Sequence, residues 1–296
     1  REDCVLQAIL DDRAARFPDR RVALFEDGTE WTWSECRAQV RAQAAALQQL
    51  GVRAGDRVVA WLPSGPALIR AWFAINYLGA IFVPLNTAYR GATLAHVVNA
   101  CRARLMLAHA GLVERLDGLD LQHVERVIVI GGAVPAIVAA APRWTLHDES
   151  VLRGHAARLE DSARPQPWDL YAIIYTSGTT GLSKGVLSPY LQLYSTATVV
   201  YGYLRDGEGI LVNLPLFHVG GTSSVAIALI RSGSFHLVDG FSTDRFWDQV
   251  RRGQCTTTSG LIGIMGAFLM RSPPRPEDRQ HPLRCLTGFP VNEQTV

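Results

Sequence analysis

The sequence predicts an α/β protein of two doubly wound subdomains, each a largely parallel sheet covered by helices. Three observations predict it. Apolar runs rich in Val, Ile and Leu alternate with stretches of helical period, the pattern of strands buried on both faces. Helix start and stop signals fall between those runs. A proline-bearing segment without periodicity, 161–169, separates an earlier series of strands from a later one.

In order along the chain, Thr32-x-x-Glu35 can form a capping box, in which each residue satisfies a backbone donor of the other at a helix start. Val40, Ala44, Leu47 and Leu50 then recur at helical spacing, and Gly51 can take the left-handed closing position. A strand is expected at 57–62. The following helix places Leu68, Trp72, Ile75 and Leu78 on one face before Gly79, and a strand at 80–85 comes after it. Further strands are expected at 105–108 and 126–130. The second series is expected at 170–175, 210–214, 235–238, 255–258 and 284–287, with helical segments between. The expected division is a first subdomain over 1–160, a connection over 161–169 and an incomplete second subdomain over 170–296.

Composition narrows the partners. With 29 basic against 27 acidic side chains and a formal charge of +2, no concentrated field argues for nucleic acid or an anionic membrane. Five cysteines, widely spaced and without a C-x-x-C pair, disfavour a disulfide framework and a zinc site. A reducing, cytoplasmic setting is expected. The longest apolar stretch, 71–85, is broken by Asn76 and Gly79 and falls short of the roughly 18 residues a span needs. Nothing near Arg1 reads as a secretion signal, and the start is taken as a cut or processed end.

The chemistry concentrates in one segment. The run Leu170-Tyr171-Ala172-Ile173-Ile174-Tyr175 leads into Thr176-Ser177-Gly178-Thr179-Thr180-Gly181-Leu182-Ser183-Lys184-Gly185-Val186, which gathers hydroxyls, glycines and a lysine. Glycines let backbone N–H groups approach an anion, hydroxyls add neutral donors, and lysine adds charge, so the composition suits a polyphosphate. It is not a Walker loop, which requires a glycine before the lysine and Ser or Thr after it. Composition alone also fits a flexible connector. Its place after a buried strand favours a ligand site, since ligands of open α/β sheets gather beyond the carboxyl ends of strands.

As a string, the segment from Tyr175 to Val186 closely resembles the phosphate-binding signature of the adenylate-forming superfamily, which holds acyl-CoA synthetases, luciferases and peptide-synthetase adenylation domains. Three more stretches are similar to the family's front-end landmarks, in order: Trp31 to Glu35, Gly51 to Val58 and Gly79 to Asn86. Leu214-Pro215-Leu216-Phe217-His218-Val219-Gly220-Gly221 resembles a second signature, which implies that Phe217, His218 and Gly220 border the acyl pocket. A looser match, Leu286-Thr287-Gly288-Phe289-Pro290, falls where the family lines the adenine and acyl pocket.

The resemblance therefore implies nucleotide contacts from Thr176, Ser177, Gly178, Thr179, Thr180, Gly181, Lys184, Gly288, Phe289 and Pro290. ATP, Mg²⁺ and coenzyme A are the implied cofactors and co-substrates, a small-molecule carboxylic acid the substrate, and a homo-oligomer is compatible. Two departures stand out: Ser183 where the family often has proline, and Tyr190 where it often has histidine. Ser183, together with the run from Arg275 to Arg284, resembles the branch that includes carnitine/crotonobetaine-CoA ligases. The implied metal-binding acidic motif, ribose-binding aspartate, hinge and lid domain with the catalytic lysine all fall beyond Val296. No catalytic residue or metal ligand is therefore assigned within the chain, and the chain alone is expected to be inactive. Delivery of the acyl group to a carrier-protein thiol, oxidation as in luciferase, and a non-catalytic nucleotide- or acyl-binding relic remain the alternatives.

Overall fold

The computed structural model describes residues 3–135, 144–153, 159, 164–176 and 182–289. Packing divides the chain into two units, one of Arg1–Ala8 with Cys36–Leu191 and the other of Ile9–Glu35 with Gln192–Val296. Strands are numbered along the chain, so β1 (Arg21–Phe25) and β2 (Glu30–Thr32), which belong to the second unit, come first. Among the described residues no helix is long and apolar enough to cross a membrane.

The first unit holds β3 (Arg57–Trp61), β4 (Ile81–Pro84), β5 (Leu105–His109), β6 (Arg126–Ile130), β7 (Thr145–Asp148), β8 (Leu170–Thr176) and β9 (Lys184–Pro189). They form one sheet in the order β7-β6-β5-β3-β4-β8-β9. Every neighbouring pair is parallel except β8 with β9. The helices α3 (Pro66–Tyr77) and α4 (Gly91–Cys101) make the crossovers from β3 to β4 and from β4 to β5, the short α5 (Ala110–Val113) follows β5, α2 (Trp33–Gln49) leads into β3, and α6 (Tyr190–Ser195) follows β9. The capping box forms as the sequence predicts: Glu35 N donates to Thr32 Oγ1 at 3.2 Å and Thr32 N to Glu35 Oε2 at 2.8 Å. Gly51, at φ 89°, closes α2.

Asn76, which interrupts the apolar stretch, is fully buried in α3 and ties that helix to the sheet. Its Nδ2 donates to Ala80 O at 3.0 Å and to Tyr171 O of β8 at 2.8 Å, while its Oδ1 accepts from Trp72 Nε1 at 2.8 Å. Trp72 in turn stacks on Phe82, with ring centroids 5.4 Å apart and planes 11° from parallel. A satisfied polar hub of this kind fixes one packing of helix on sheet where apolar contact alone would permit several.

The second unit holds β10 (Gly209–Val212), β11 (Ser234–Leu237), β12 (Thr257–Ile262) and β13 (Cys285–Phe289) with β1 and β2, in the order β13-β12-β10-β11-β1-β2. The pairs are parallel except β1 with β2. Its helices include α7 (Val219–Ile230), α8 (Phe246–Gly253) and α9 (Gly263–Arg271), with most of α1 (Leu6–Arg16). Leu211, Val238, Phe246, Val250, Cys255 and Leu261 form a core between sheet and helices.

The units differ from the expected division at 161–169. β8 pairs in parallel with β4, and β9 with β8, so both complete the first sheet, and the first unit runs on to Leu191. The described part of the proline segment is a turn bound to the end of β9: Tyr190 N donates to Asp169 O at 3.1 Å and Leu191 N to Pro167 O at 2.8 Å. Prolines marked a loop within the unit. The second unit instead recruits the N-terminal stretch, with β1 lying against β11. The later strands also shift, with β12 beginning at Thr257 and running on to Ile262.

Candidate functional site

The sequence-predicted residues fall into two groups, one in each unit. In the first unit β8 is buried over Tyr171–Ile174 and surfaces at Thr176, its last residue. The chain returns as β9 in antiparallel register, Thr176 opposite Lys184, and Thr176 Oγ1 donates to Lys184 O at 3.5 Å. The expected phosphate segment is thus the connection of a hairpin whose two shoulders are an exposed hydroxyl and an exposed ammonium. Ser177, Gly178, Thr179, Thr180 and Gly181 lie outside the described residues, as does Pro290.

The exit of that connection is anchored. His96 on α4 approaches Ser183 O through Nε2 at 3.0 Å. A carbonyl can only accept, so His96 carries its proton on Nε2. Ser183 therefore contributes a backbone acceptor that proline would also possess, and the departure at that position leaves the anchor intact. Lys184 is exposed and makes no side-chain hydrogen bond or ion pair among the described residues. Tyr190, by contrast, is 1% exposed, and its hydroxyl reaches Asn76 O at 3.4 Å. Burial, followed by the charge of Asp169, holds its phenol well above the ordinary tyrosine value, so it packs as a neutral side chain.

In the second unit, the residues after β10 form a tight approach to α7. His218 is exposed and caps that helix, its Nδ1 accepting from Gly220 N at 3.0 Å, so the neutral ring carries its proton on Nε2. Phe217 and Gly220 are half-buried beside it. A Cβ on Gly221 would sit 2.3 Å from Pro215 O and 2.6 Å from Leu214 O, which explains glycine there through backbone proximity. The parallel neighbours β12 and β13 end at the same edge of this sheet, with Gly288 opposite Leu261 and Phe289 opposite Ile262. The fold thus brings the His218 motif and the Gly288–Phe289 pair to one carboxyl edge, where α/β sheets hold ligands.

Sequence reasoning missed Asn213. It follows the last residue of β10, is 3% exposed, and neither its Oδ1 nor its Nδ2 has a partner among the described residues. Asn213 Oδ1 lies 3.4 Å from the position a Cβ would take on Gly260 of β12, so it stands at the same carboxyl edge. The only sequence signal was a polar residue ending an apolar run.

With this geometry in view, the class is defined: the chain belongs to the AMP-binding enzyme family, whose profile matches residues 10–296. Among characterised relatives, it is 29% identical over 295 residues to the crotonobetaine/carnitine–CoA ligase of Salmonella typhi, covering 94% of this chain and 55% of that protein. The chain thus spans about half the length of the curated relatives it matches. In fold it is similar to the inhibitor-bound N-terminal domain of FACL13 from Mycobacterium tuberculosis, with TM-score 0.83 and 21% identity over 99% of this chain and 72% of that one. It is also similar to the anthranilate CoA ligase AuaEII in complex with anthranoyl-AMP, with TM-score 0.82 and 22% identity over 96% and 54% of the two chains.

Proposed function

We propose that this chain is the nucleotide- and acyl-binding portion of an ATP-dependent acid–thiol ligase that joins a carboxylic acid to coenzyme A. The observation that carries the reading is the β8–β9 hairpin, a buried strand ending in exposed Thr176 and returning through exposed Lys184. Family membership supports it, as do relatives that are CoA ligases.

A carboxylate resists nucleophilic attack because its charge repels the nucleophile and oxide is a poor leaving group. In the proposed scheme a carboxylate oxygen forms a bond to the α-phosphorus of ATP, the bond to the β-phosphate oxygen breaks, and pyrophosphate leaves. The sulfur of coenzyme A then bonds to the acyl carbon as AMP departs with the electron pair. Thr176, the Ser177–Gly181 run and Lys184 would hold the β and γ phosphates, a role of position and charge without covalent chemistry. Phe217, His218 and Gly220 would border the acyl group, and Gly288, Phe289 and Pro290 the adenine. Mg²⁺, implied by the family resemblance, would offset phosphate charge. Among the described residues no three His, Cys, Asp or Glu side chains gather as a metal site, so none is assigned to it.

The test is exchange of labelled pyrophosphate into ATP, dependent on added acid, by a full-length protein containing this chain. No exchange with any acid would leave a non-catalytic binding role. The present chain alone is expected to make acyl-CoA only at background, because losing even one preorganised electrostatic contact costs roughly a hundred- to a thousand-fold. Robust turnover by it, read as acyl-CoA and AMP, would contradict that assignment of the machinery.

A further inference from the structure

Lys184 is exposed and none of the described residues engages its ammonium, yet its backbone is held on both sides. On the carboxyl side stands Gly185, opposite Tyr175 in the β8–β9 register. A Cβ there would fall 2.8 Å from Ile173 Cγ2 and 3.2 Å from Tyr175 Cζ, so the absent side chain lets β9 lie close on β8. On the amino side stands Ser183, beyond the last ladder pair of Thr176 with Lys184. Its carbonyl accepts from His96 Nε2 at 3.0 Å, a bond between residues 87 apart in the chain.

The helix that supplies His96 is rooted in the sheet. Leu94, Val97 and Val98 of α4 are buried in the core of the first unit, which fixes the backbone on either side of the half-buried His96. Ser183 O and Lys184 N–H belong to one planar peptide group, so a hydrogen bond to the oxygen fixes the plane from which Lys184 departs. Only the φ of Lys184 then stands between that plane and the bond to its side chain. An exposed side chain without a partner contributes little to stability, so the gain from fixing Lys184 lies in what its ammonium meets.

We infer that His96 is a positioning residue for ATP, holding Ser183 O so that the Lys184 ammonium is preset for the β and γ phosphates; the inference rests on the phosphate role proposed for Lys184. His96 acts through the Ser183–Lys184 peptide and supplies no group to the reacting atoms. A lysine brings the freedom of a long side chain to any anion, and a fixed root removes part of what binding would otherwise have to order. One neutral hydrogen bond sets the scale of the effect, about three- to ten-fold in affinity for ATP.

The experiment uses a full-length protein containing this chain and measures the dissociation constant of labelled ATP by equilibrium dialysis, beside KM for ATP and for the acid in pyrophosphate exchange. His96→Leu removes the donor and should weaken ATP about three- to ten-fold, with KM for the acid unchanged. His96→Gln places an amide nitrogen where Nε2 stood and should restore affinity to within about two-fold of the unaltered protein. His96→Asn carries the same donor on a shorter side chain and should behave as His96→Leu, which keeps the test sound if leucine lowers the melting temperature. In a Lys184→Ala background His96→Leu should weaken ATP by at most about two-fold, because the group it positions is gone. Unchanged ATP affinity in His96→Leu, no rescue by His96→Gln, equal losses for ATP and acid, or a full additional loss in the Lys184→Ala background would each overturn the role. The same pattern in ATP binding without exchange for any acid would sink the ligase reading and leave the positioning role standing. A full-length protein that binds no ATP would end both.

Discussion

Each unit closes one edge of its parallel sheet with an antiparallel hairpin, and the two hairpins differ in how their described polar groups are paired. β1 and β2 are joined by Glu26, Asp27, Gly28 and Thr29, and this turn consumes its own polar groups. Phe25 N donates to Thr29 O at 2.9 Å, Gly28 N to Phe25 O at 3.0 Å and Thr29 N to Asp27 Oδ1 at 2.8 Å. Arg252 Nη1 donates to Glu26 O at 3.3 Å, and the Glu26 carboxylate accepts from Arg245 and Gln249. The β8–β9 connection is longer, and it ends on an exposed lysine whose ammonium none of the described residues engages. Topology at a sheet edge is therefore no mark of a site. Unspent donors are.

The largest effect expected from that difference concerns the support beneath the second hairpin. Asn76→Ala would strand Trp72 Nε1, Ala80 O and Tyr171 O, three buried groups that each cost about 1–3 kcal/mol when unsatisfied. A stability loss of at least about 3 kcal/mol is expected in denaturant titration, with amide exchange rising in β8 and β9 before β1 and β2. Equal acceleration in both hairpins would show that Asn76 is not a local support. Next in size is a crossed pair of variants in the full-length protein. Lys184→Ala should lower adenylate formation about ten- to a hundred-fold with the melting temperature unchanged, since charge-assisted bonds contribute roughly 1.5–3 kcal/mol. Gly28→Ala should do the reverse, because φ at Gly28 is 92° and a Cβ there would meet Arg252 at 2.8 Å. About 1 kcal/mol of stability should be lost and the exchange rate kept. Any crossing of these outcomes breaks the contrast between a turn whose polar groups are paired and a strand that begins on an unengaged lysine.

Much of this was legible before the fold was seen, for physical reasons that vary by element. Strands buried on both faces, such as β3, β5 and β6, announce themselves as apolar runs, and Thr32 with Glu35 marked the start of α2. β9 did not, because Lys184, Val186 and Leu187 are exposed on an edge strand and the period of burial is absent. Its antiparallel return was hidden for a related reason: a glycine-rich connection after a parallel strand reads equally well as the entry to a helix. The proline segment misled on the unit boundary because a loop and a linker share a composition, and only the pairing of β8 with β4 separates them. For the site, the sequence named residues by type and order. It could not find Asn213, since that depends on which amide groups the fold leaves without partners among the described residues.

The subtlest expected difference between the units is in acid. His236 on β11 is 1% exposed, and its Nδ1 donates to Gln249 O at 2.9 Å, which leaves Nε2 as the unprotonated nitrogen, without a partner among the described residues. Protonation would place a cation's N–H where none of the described residues accepts it. Burial is the main cause that lowers the His236 pKa, helped by the charges of Arg252 and Arg21 and opposed by the Gln249 bond and Glu26. In the unfolded chain a histidine takes its proton near about 6.5, whereas folded His236 takes it only at lower pH. Between those values the unfolded state binds more protons, so stability is full above about 6.5 and falls as pH drops through the interval. His236 belongs to the sheet of the second unit, so this penalty falls there. Amide exchange in β10 and β11 should therefore accelerate between pH 7.5 and 5 more than in β5 and β6, after correction for the intrinsic rate. His236→Asn keeps a donor for Gln249 O but cannot titrate, and should remove that excess. An unchanged excess in the variant would place the acid sensitivity of the second unit on another group.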